Sequence, residues 1–317
     1  MKISFIRRSM NKLREYVENE VLKKSVVTRN INGHIMKIST RDKGIGIALR
    51  RMQPGDQDRE PAFMEIIEQE VKPGMCVYDI GANIGHVTVN LARLVGETGQ
   101  VFAIEPSPAN ILLLRENVSL NKYDRIVKVF EGAITNYSGD ASFFMANESN
   151  LGALQKTPYV TGKISTKVET LDNFAIKNVE PDFIKMDVEG AEIEVLDGFY
   201  QTALETNKDV KILIEVHPTY YSEERSFEKQ LLRYFELGFY TKYLISAGVD
   251  SPDFFVENGY QPIKSYKIGK LSRGIYEDVT NNHVVQSICS RHRQYIPNLQ
   301  CFHEKIVRAI MLEKVKR

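Results

Sequence analysis

From Met75 onward, short apolar runs alternate with segments of helical periodicity, and no other feature constrains the fold of this chain so tightly. Apolar runs without polar interruption suit strands buried on both faces, and helices between them supply the crossovers that a parallel sheet requires. The pattern predicts main strands at 75–80, 100–105, 126–131, 182–187 and 210–217, with helices at 85–95, 108–121, 190–205 and 222–237. Further strands are expected at 240–245 and 306–313, and 141–145 and 165–169 read as extra edge strands. The expected class is α/β, a Rossmann-like doubly wound sheet.

Two regions stand outside this alternation. Residues 25–40 alternate apolar and polar around Asn32-Gly33, a strong hairpin signal, and residues 2–23 carry Ile3, Ile6, Met10, Leu13 and Val17 at the spacing of an amphipathic helix packing on its own domain. Residues 41–60 read as a loop or short helix, and Pro61 to Val71 as a helix leading into the first strand. Between the last two strands, residues 246–305 are too many for a structureless loop and read as an insertion covering the ligand crevice. The expected organisation is an N-terminal helix and hairpin over 1–60, a core over 61–245 and 306–317, and a cap or substrate insertion over 246–305.

The charge balance narrows the partners. Lysine plus arginine (42) nearly cancels aspartate plus glutamate (41), so no global field recruits nucleic acid or anionic membrane. The three cysteines, Cys76, Cys289 and Cys301, show no paired metal spacing and cannot all pair as disulfides, which suits reduced thiols in the cytoplasm. No secretory signal is read at the start, and no run approaches the roughly 20 apolar residues that span a bilayer. A cytoplasmic protein without a transmembrane segment is expected; its oligomeric state is not legible.

In an open α/β sheet, ligands bind at the carboxyl ends of the strands, so chemistry is sought there. The first strand runs into Asp79, Gly81, Asn83 and Gly85, where glycines permit a sharp turn and close approach of a ligand, and a helix start offers unpaired amides. The second ends in Glu105, placed to accept from the hydroxyls of a ribose. After the third, Gly132-Ala133-Ile134 leaves room for an adenine beside Ala133, or is a plain strand exit. The fourth leads into Asp187-Val188-Glu189-Gly190-Ala191-Glu192, three carboxylates within six residues; helix capping accounts for the glutamates but not for Asp187. The fifth ends Glu215-Val216-His217, whose alternation puts Glu215 and His217 on one face. His217, with an unperturbed pKa of about 6.5, is the general-base candidate, and a structural histidine is the alternative. His34, His86, His283, His292 and His303 receive no role.

The run YDIGANIG, the pair Glu105-Pro106, the GAI after the third strand and the run IKMDVEGAE together resemble the FkbM family of S-adenosylmethionine-dependent methyltransferases. The likeness extends from about Glu60 to His217, and VRAIMLEK near the end looks like the closing strand of such enzymes. The resemblance implies a seven-stranded methyltransferase sheet whose last strand is antiparallel, with S-adenosylmethionine as cofactor. It further implies that Asp79, Gly81, Asn83 and Gly85 line the methionine portion, that Glu105 binds the ribose and that Ala133 lies near adenine. Asp187 is then the residue nearest the transferred methyl, a cofactor-binding and catalytic position, with Glu189 and Glu192 holding the loop or contacting substrate; the strand alternation adds His217 as the catalytic companion and Glu215 toward the substrate.

The expected reaction is O-methylation of a hydroxyl on a saccharide, lipid-like or secondary-metabolite acceptor, with a small molecule or glycan as partner. Removal of the hydroxyl proton by His217 or Asp187 is one route, worth about 100- to 10,000-fold. No metal ligands are assigned; a divalent ion bridging Asp187 and a neighbouring carboxylate is the other route. Three further classes compete. A nicotinamide-dependent oxidoreductase would want a third glycine, where Asn83 stands between Gly81 and Gly85. A nucleic-acid methyltransferase of the adenine type would want two prolines after an Asn or Asp, where this chain has Asp187-Val188-Glu189. A non-catalytic cofactor-binding scaffold would need no competent residue at each of these positions.

Overall fold

In the computed structural model, the described residues are Asn11, Arg14 and 25–53, 56–156, 160–222, 224–248, 251–268, 271–289, 294–296, 301–303 and 306–316. The expected helix over 2–23 lies outside the described residues, apart from Asn11 and Arg14. One mixed sheet dominates. Its strands are β1 (Cys76–Ile80), β2 (Gln100–Glu105), β3 (Val127–Glu131), β4 (Phe183–Met186), β5 (Val210–Glu215), β6 (Tyr240–Ser246), β7 (Lys264–Ile268), β8 (Leu271–Tyr276) and β9 (Val307–Lys314). They lie in the order β7-β8-β6-β9-β5-β4-β1-β2-β3.

The five strands from β5 to β3 are parallel, and β9 runs antiparallel to both of its neighbours, β5 and β6. The expected core sheet with its antiparallel last strand is present. Two strands were not expected in it: β8 pairs antiparallel with β6, and β7 with β8, so the sheet has nine strands and not seven.

Alternation along the buried strands explains how one sheet serves two cores. Tyr78, Ile80, Phe102, Ile104, Ile184, Met186, Ile212 and Ile214 enter the cluster on one face, while Val77, Val101, Ala103, Phe183 and Leu213 enter the cluster on the other. Each Val, Leu, Ile, Phe or Met among them contributes about 1.5–3 kcal/mol by leaving water, which is why these runs contain so few polar residues. Asp79, Glu105, Lys185 and Glu215 are the buried exceptions, and all four belong to the site or its surroundings. The buried, free Cys76 carries a thiol that burial pushes up to about 11, so it is an inert core residue.

The hairpin forms as the Asn32-Gly33 signal predicts. Val26–Ile31 pairs antiparallel with His34–Ser39, and both turn residues have positive φ, the geometry of a two-residue type I′ turn. Two asparagines treat its second strand as a third strand would: Asn117 and Asn121 each donate to and accept from the backbone of Lys37 and Ile35 respectively. The hairpin is thereby fixed to the end of the helix Pro108–Leu120, beside the ligand end of the sheet.

Two expectations need correction. The helix expected over 190–205 is two helices, Glu192–Asp197 and Tyr200–Glu205, broken where Gly198 passes the Thr135 carbonyl so closely that a Cβ would lie 2.3 Å from it. The strands near 141–145 and 165–169 are Gly139–Ala146 and Val160–Glu169; they join Ala133–Ile134 in a separate three-stranded sheet and are not edges of the main one. The described part of the insertion at 246–305 supplies β7 and β8 to the sheet edge. Among the described residues, the roof of the crevice comes from the strand Gly139–Ala146 of the side sheet and the turn that follows it.

Candidate active site

The order of strands reverses between β1 and β4, both of which run in the same direction. At such a switch point the connections leave to opposite sides and open a crevice. Here the two loops that leave β1 and β4 touch. Gly81 has φ +80°, and a Cβ placed on it would sit 1.9 Å from the Asp187 carbonyl oxygen. The Asp187 amide donates to the Ile80 carbonyl at 3.1 Å, so the ladder between β1 and β4 continues into the loops. Glycine is thus what lets the YDIGANIG and IKMDVEGAE runs meet backbone to backbone.

A cavity of about 850 Å³ opens there, including its mouth to solvent. Of the expected site residues, Gly81, Asn83, Glu105, Ala133, Asp187 and Glu189 line it, and Asp79, Gly85, Glu192, Glu215 and His217 do not. Phe143, Ser149, Gly152, Ala153 and Leu154 form its roof, drawn from the side sheet and the turn that follows. That roof is tied down by Asp42, whose carboxylate accepts from the Ser149 amide and hydroxyl at 3.0 and 2.9 Å, and by the Ser149 hydroxyl reaching Asn83 Oδ1 at 3.4 Å.

Glu105 is nearly inaccessible in the cavity wall and is ringed by donors. Its Oε2 accepts from the Asn83 amide at 2.8 Å, and its Oε1 from the Ser107 amide at 2.9 Å and Asn110 Nδ2 at 3.1 Å. Burial pushes its carboxyl above the usual range, and these donors pull the other way. Asn83 reaches Glu105 because it adopts φ +53°, a left-handed conformation that asparagine tolerates better than most residues.

Asp79 does something other than face the cavity. It is fully buried, with one carboxylate oxygen accepting from Thr88 Oγ1 at 2.6 Å and the other 2.9 Å from Lys185 Nζ. Asp79 and Lys185 are directly opposed across β1 and β4, and Lys185 Nζ also donates to the Gly81 carbonyl at 2.8 Å. The pair therefore fixes the loop that carries Gly81. Burial alone would lower the Lys185 pKa, yet Asp79 and Asp187 raise it above the ordinary lysine value. Reading the sequence for acids overlooked this lysine, although a lone cation inside Phe183-Ile184-Lys185-Met186 is itself the signal.

Beyond Asp187 the carboxylates converge on one imidazole. His217 Nδ1 lies 2.6 Å from Oε1 of the fully buried Glu192, while Nε2 lies 3.3 Å from Glu215, 3.5 Å from Glu189 and 3.8 Å from Asp187. Glu192 is held in turn by the Gly190 amide on Oε1 and the Tyr221 hydroxyl on Oε2. Arg308, from β9, lies 2.6 Å from Glu215 and carries part of the negative charge. Burial and Glu215 raise the Asp187 carboxyl above the usual carboxylate range; Lys185, His217 and Arg308 oppose that shift. One oxygen each of Asp187 and Glu189 and one His217 nitrogen all lie within 4.8 Å of one another.

Five parallel strands with the antiparallel β9 beside them, and a crevice at the switch point lined by Glu105 and Asp187, give the Rossmann-like methyltransferase architecture. Residues 79–244 match the model of the methyltransferase FkbM domain, just over half of the chain, and the chain belongs to that S-adenosylmethionine-dependent family. The match ends just before the segment that builds β7 and β8.

Relatives include the hexuronic acid methyltransferase AglP of Haloferax volcanii, 27% identical over 167 residues that make up 51% of this chain and 63% of that protein. The 2-O-methyltransferase NoeI of Sinorhizobium fredii is 29% identical over 185 residues, 53% of this chain and 71% of that one. The carboxy-S-adenosyl-L-methionine synthase of Vibrio campbellii is 30% identical over 89 residues, 28% of this chain and 36% of that one. The chain thus spans less than two thirds of AglP and of the synthase. Among the described residues, no helix is long and apolar enough to cross a membrane.

Proposed function

We propose that this chain is an S-adenosylmethionine-dependent O-methyltransferase whose acceptor is a saccharide hydroxyl. The observation that carries the reading is the contact of Gly81 with Asp187, which joins a cavity suited to an adenosine to a cluster suited to proton removal. A carboxylate offers about four acceptor positions, and Glu105 spends three on protein donors, leaving capacity for a ribose hydroxyl. Ala133 is small enough for an adenine to lie against the chain. When bound, S-adenosylmethionine supplies an electrophilic methyl group.

The protein's own part is positioning and proton transfer. With Glu192 accepting from Nδ1, His217 is the tautomer whose Nε2 accepts a proton. Asp187, lining the cavity 3.8 Å from Nε2, orients the acceptor hydroxyl, and the hydroxyl proton passes to the Asp187–His217 pair. A carboxyl raised by burial is a better base than an ordinary one. The surrounding Glu189 and Glu215 then stabilise the imidazolium that results. The names of the relatives AglP and NoeI, which specify a hexuronic acid and a 2-O position, favour a sugar hydroxyl as acceptor here.

A second route rests on the close donor set of Asp187, Glu189 and His217, whose mix of carboxylate oxygen and imidazole nitrogen suits a divalent ion that lowers the acceptor's pKa. Transfer of label from methyl-labelled cofactor to a panel of mono- and oligosaccharides tests the function. Labelled sugar ether is expected, at the same rate with and without a chelator. Activity lost to the chelator and restored by magnesium or manganese would select the metal route; label on no saccharide would remove the proposed acceptor class.

A further inference from the structure

The run Asp58-Arg59-Glu60, just before the helix Pro61–Glu70, brings Arg59 to the cavity, and both acids are committed elsewhere. Asp58 lies 3.2 Å from His86 Nε2 and accepts from Asn32 Nδ2 at 2.8 Å. Glu60 is paired with Arg273 and, at 3.2 Å, with Arg308. Arg59 stands apart. It is half-buried, it lines the cavity, and among the described residues nothing accepts a hydrogen bond from its guanidinium or forms an ion pair with it.

The other basic side chains on the same wall are engaged, Lys185 by Asp79 and His86 by Asp58. A guanidinium withdrawn from water along a cavity wall is stabilised when an anion meets it, and its fork matches a carboxylate. The site also lies beside the start of the helix His86–Val95, whose positive end favours the same sign of charge. Glu105 marks the ribose side of the cavity, and a carboxylate on the ligand is what the remaining, Arg59-bearing side would recognise.

We infer that Arg59 binds the α-carboxylate of the cofactor's methionine portion, an assignment that rests on the reading of the cavity as an S-adenosylmethionine site. That carboxylate is the one anionic group the cofactor carries. Asp58 and Glu60 hold the backbone on either side of Arg59 and so present its side chain to the cavity.

Calorimetric titration of the full chain with S-adenosylhomocysteine and with 5′-methylthioadenosine, which lacks the amino acid, tests this. Arg59→Met is expected to weaken S-adenosylhomocysteine by about ten- to a hundredfold and to leave methylthioadenosine unchanged, with Arg59→Lys recovering part of the loss. Equal weakening of both ligands would overturn the assignment, because the substitution would then have disturbed the cavity generally. Unchanged affinity for both would overturn it too, and would fit an arginine that serves an anionic acceptor. A wild-type chain that binds neither ligand would instead overturn the cofactor reading itself.

Discussion

His217→Gln is expected to lower the rate of methyl transfer at saturating cofactor by about 100- to 10,000-fold, with little change in cofactor affinity. Glutamine retains a side-chain amide that donates to Glu192, so the buried carboxylate keeps a partner and the local packing is largely preserved. What disappears is a group able to accept a proton near neutral pH. His217 is not among the residues lining the cavity, whereas Asp187 and Glu189 stand between it and that space. The effect should therefore fall on turnover and spare binding. Rates with labelled cofactor, alongside calorimetric affinity for S-adenosylhomocysteine, separate the two; an affinity that falls as far as the rate would make His217 a structural support of the cofactor cavity.

Gly81→Ala is expected to cost about 2–5 kcal/mol of stability and to abolish measurable cofactor binding. Two penalties combine. A left-handed backbone costs a non-glycine residue about 1–2 kcal/mol, and the new Cβ would lie 1.9 Å from the Asp187 carbonyl oxygen, which must then move. That oxygen is backbone at the end of β4, held by the Asp187 amide bond to Ile80 and the Lys185–Asp79 pair next to it. The strain spreads into both loops. Gly33→Ala is the control, since Gly33 has φ +90° but nothing within 4 Å of an added Cβ. It incurs only the conformational penalty, about 1–2 kcal/mol. Urea midpoints of the two variants give the contact term by difference; a Gly81→Ala chain as stable as Gly33→Ala and still binding cofactor would mean that the loops do not depend on this approach.

Much of the scaffold was legible because it rests on local rules. The apolar runs of β1, β2, β4 and β5 required burial on both faces, and the alternation of strands with helices required parallel crossovers. The hairpin was fixed by Asn32-Gly33, whose turn geometry few other dipeptides favour. Length and composition show that 246–305 is not a loop, but that its strands β7 and β8 join the sheet edge is decided by pairing with β6 across about thirty residues, which no local rule reveals. The same limit hid the roof, because the side sheet depends on pairing between Gly139–Ala146 and Val160–Glu169.

In the candidate site, strand ends were the right places to look, and six of the expected residues line one cavity. Type and spacing did not reveal where each carboxylate points. Asp79 is drawn inward by Lys185 and Thr88, and Glu192 is consumed in holding His217. Arg59 was overlooked because its run reads as a loop, and its neighbours' commitments become visible only when Arg273, Arg308 and His86 are brought to it by the fold.

The central claim is that the crevice between β1, β2 and β4 is built for S-adenosylmethionine, and calorimetric titration of the full chain with S-adenosylmethionine and with NAD, repeated on Glu105→Ala, tests it most directly. One-to-one binding of S-adenosylmethionine is predicted, with no heat from NAD and with affinity strongly reduced by Glu105→Ala. Binding of NAD alone, or S-adenosylmethionine binding indifferent to the loss of Glu105, would contradict the account.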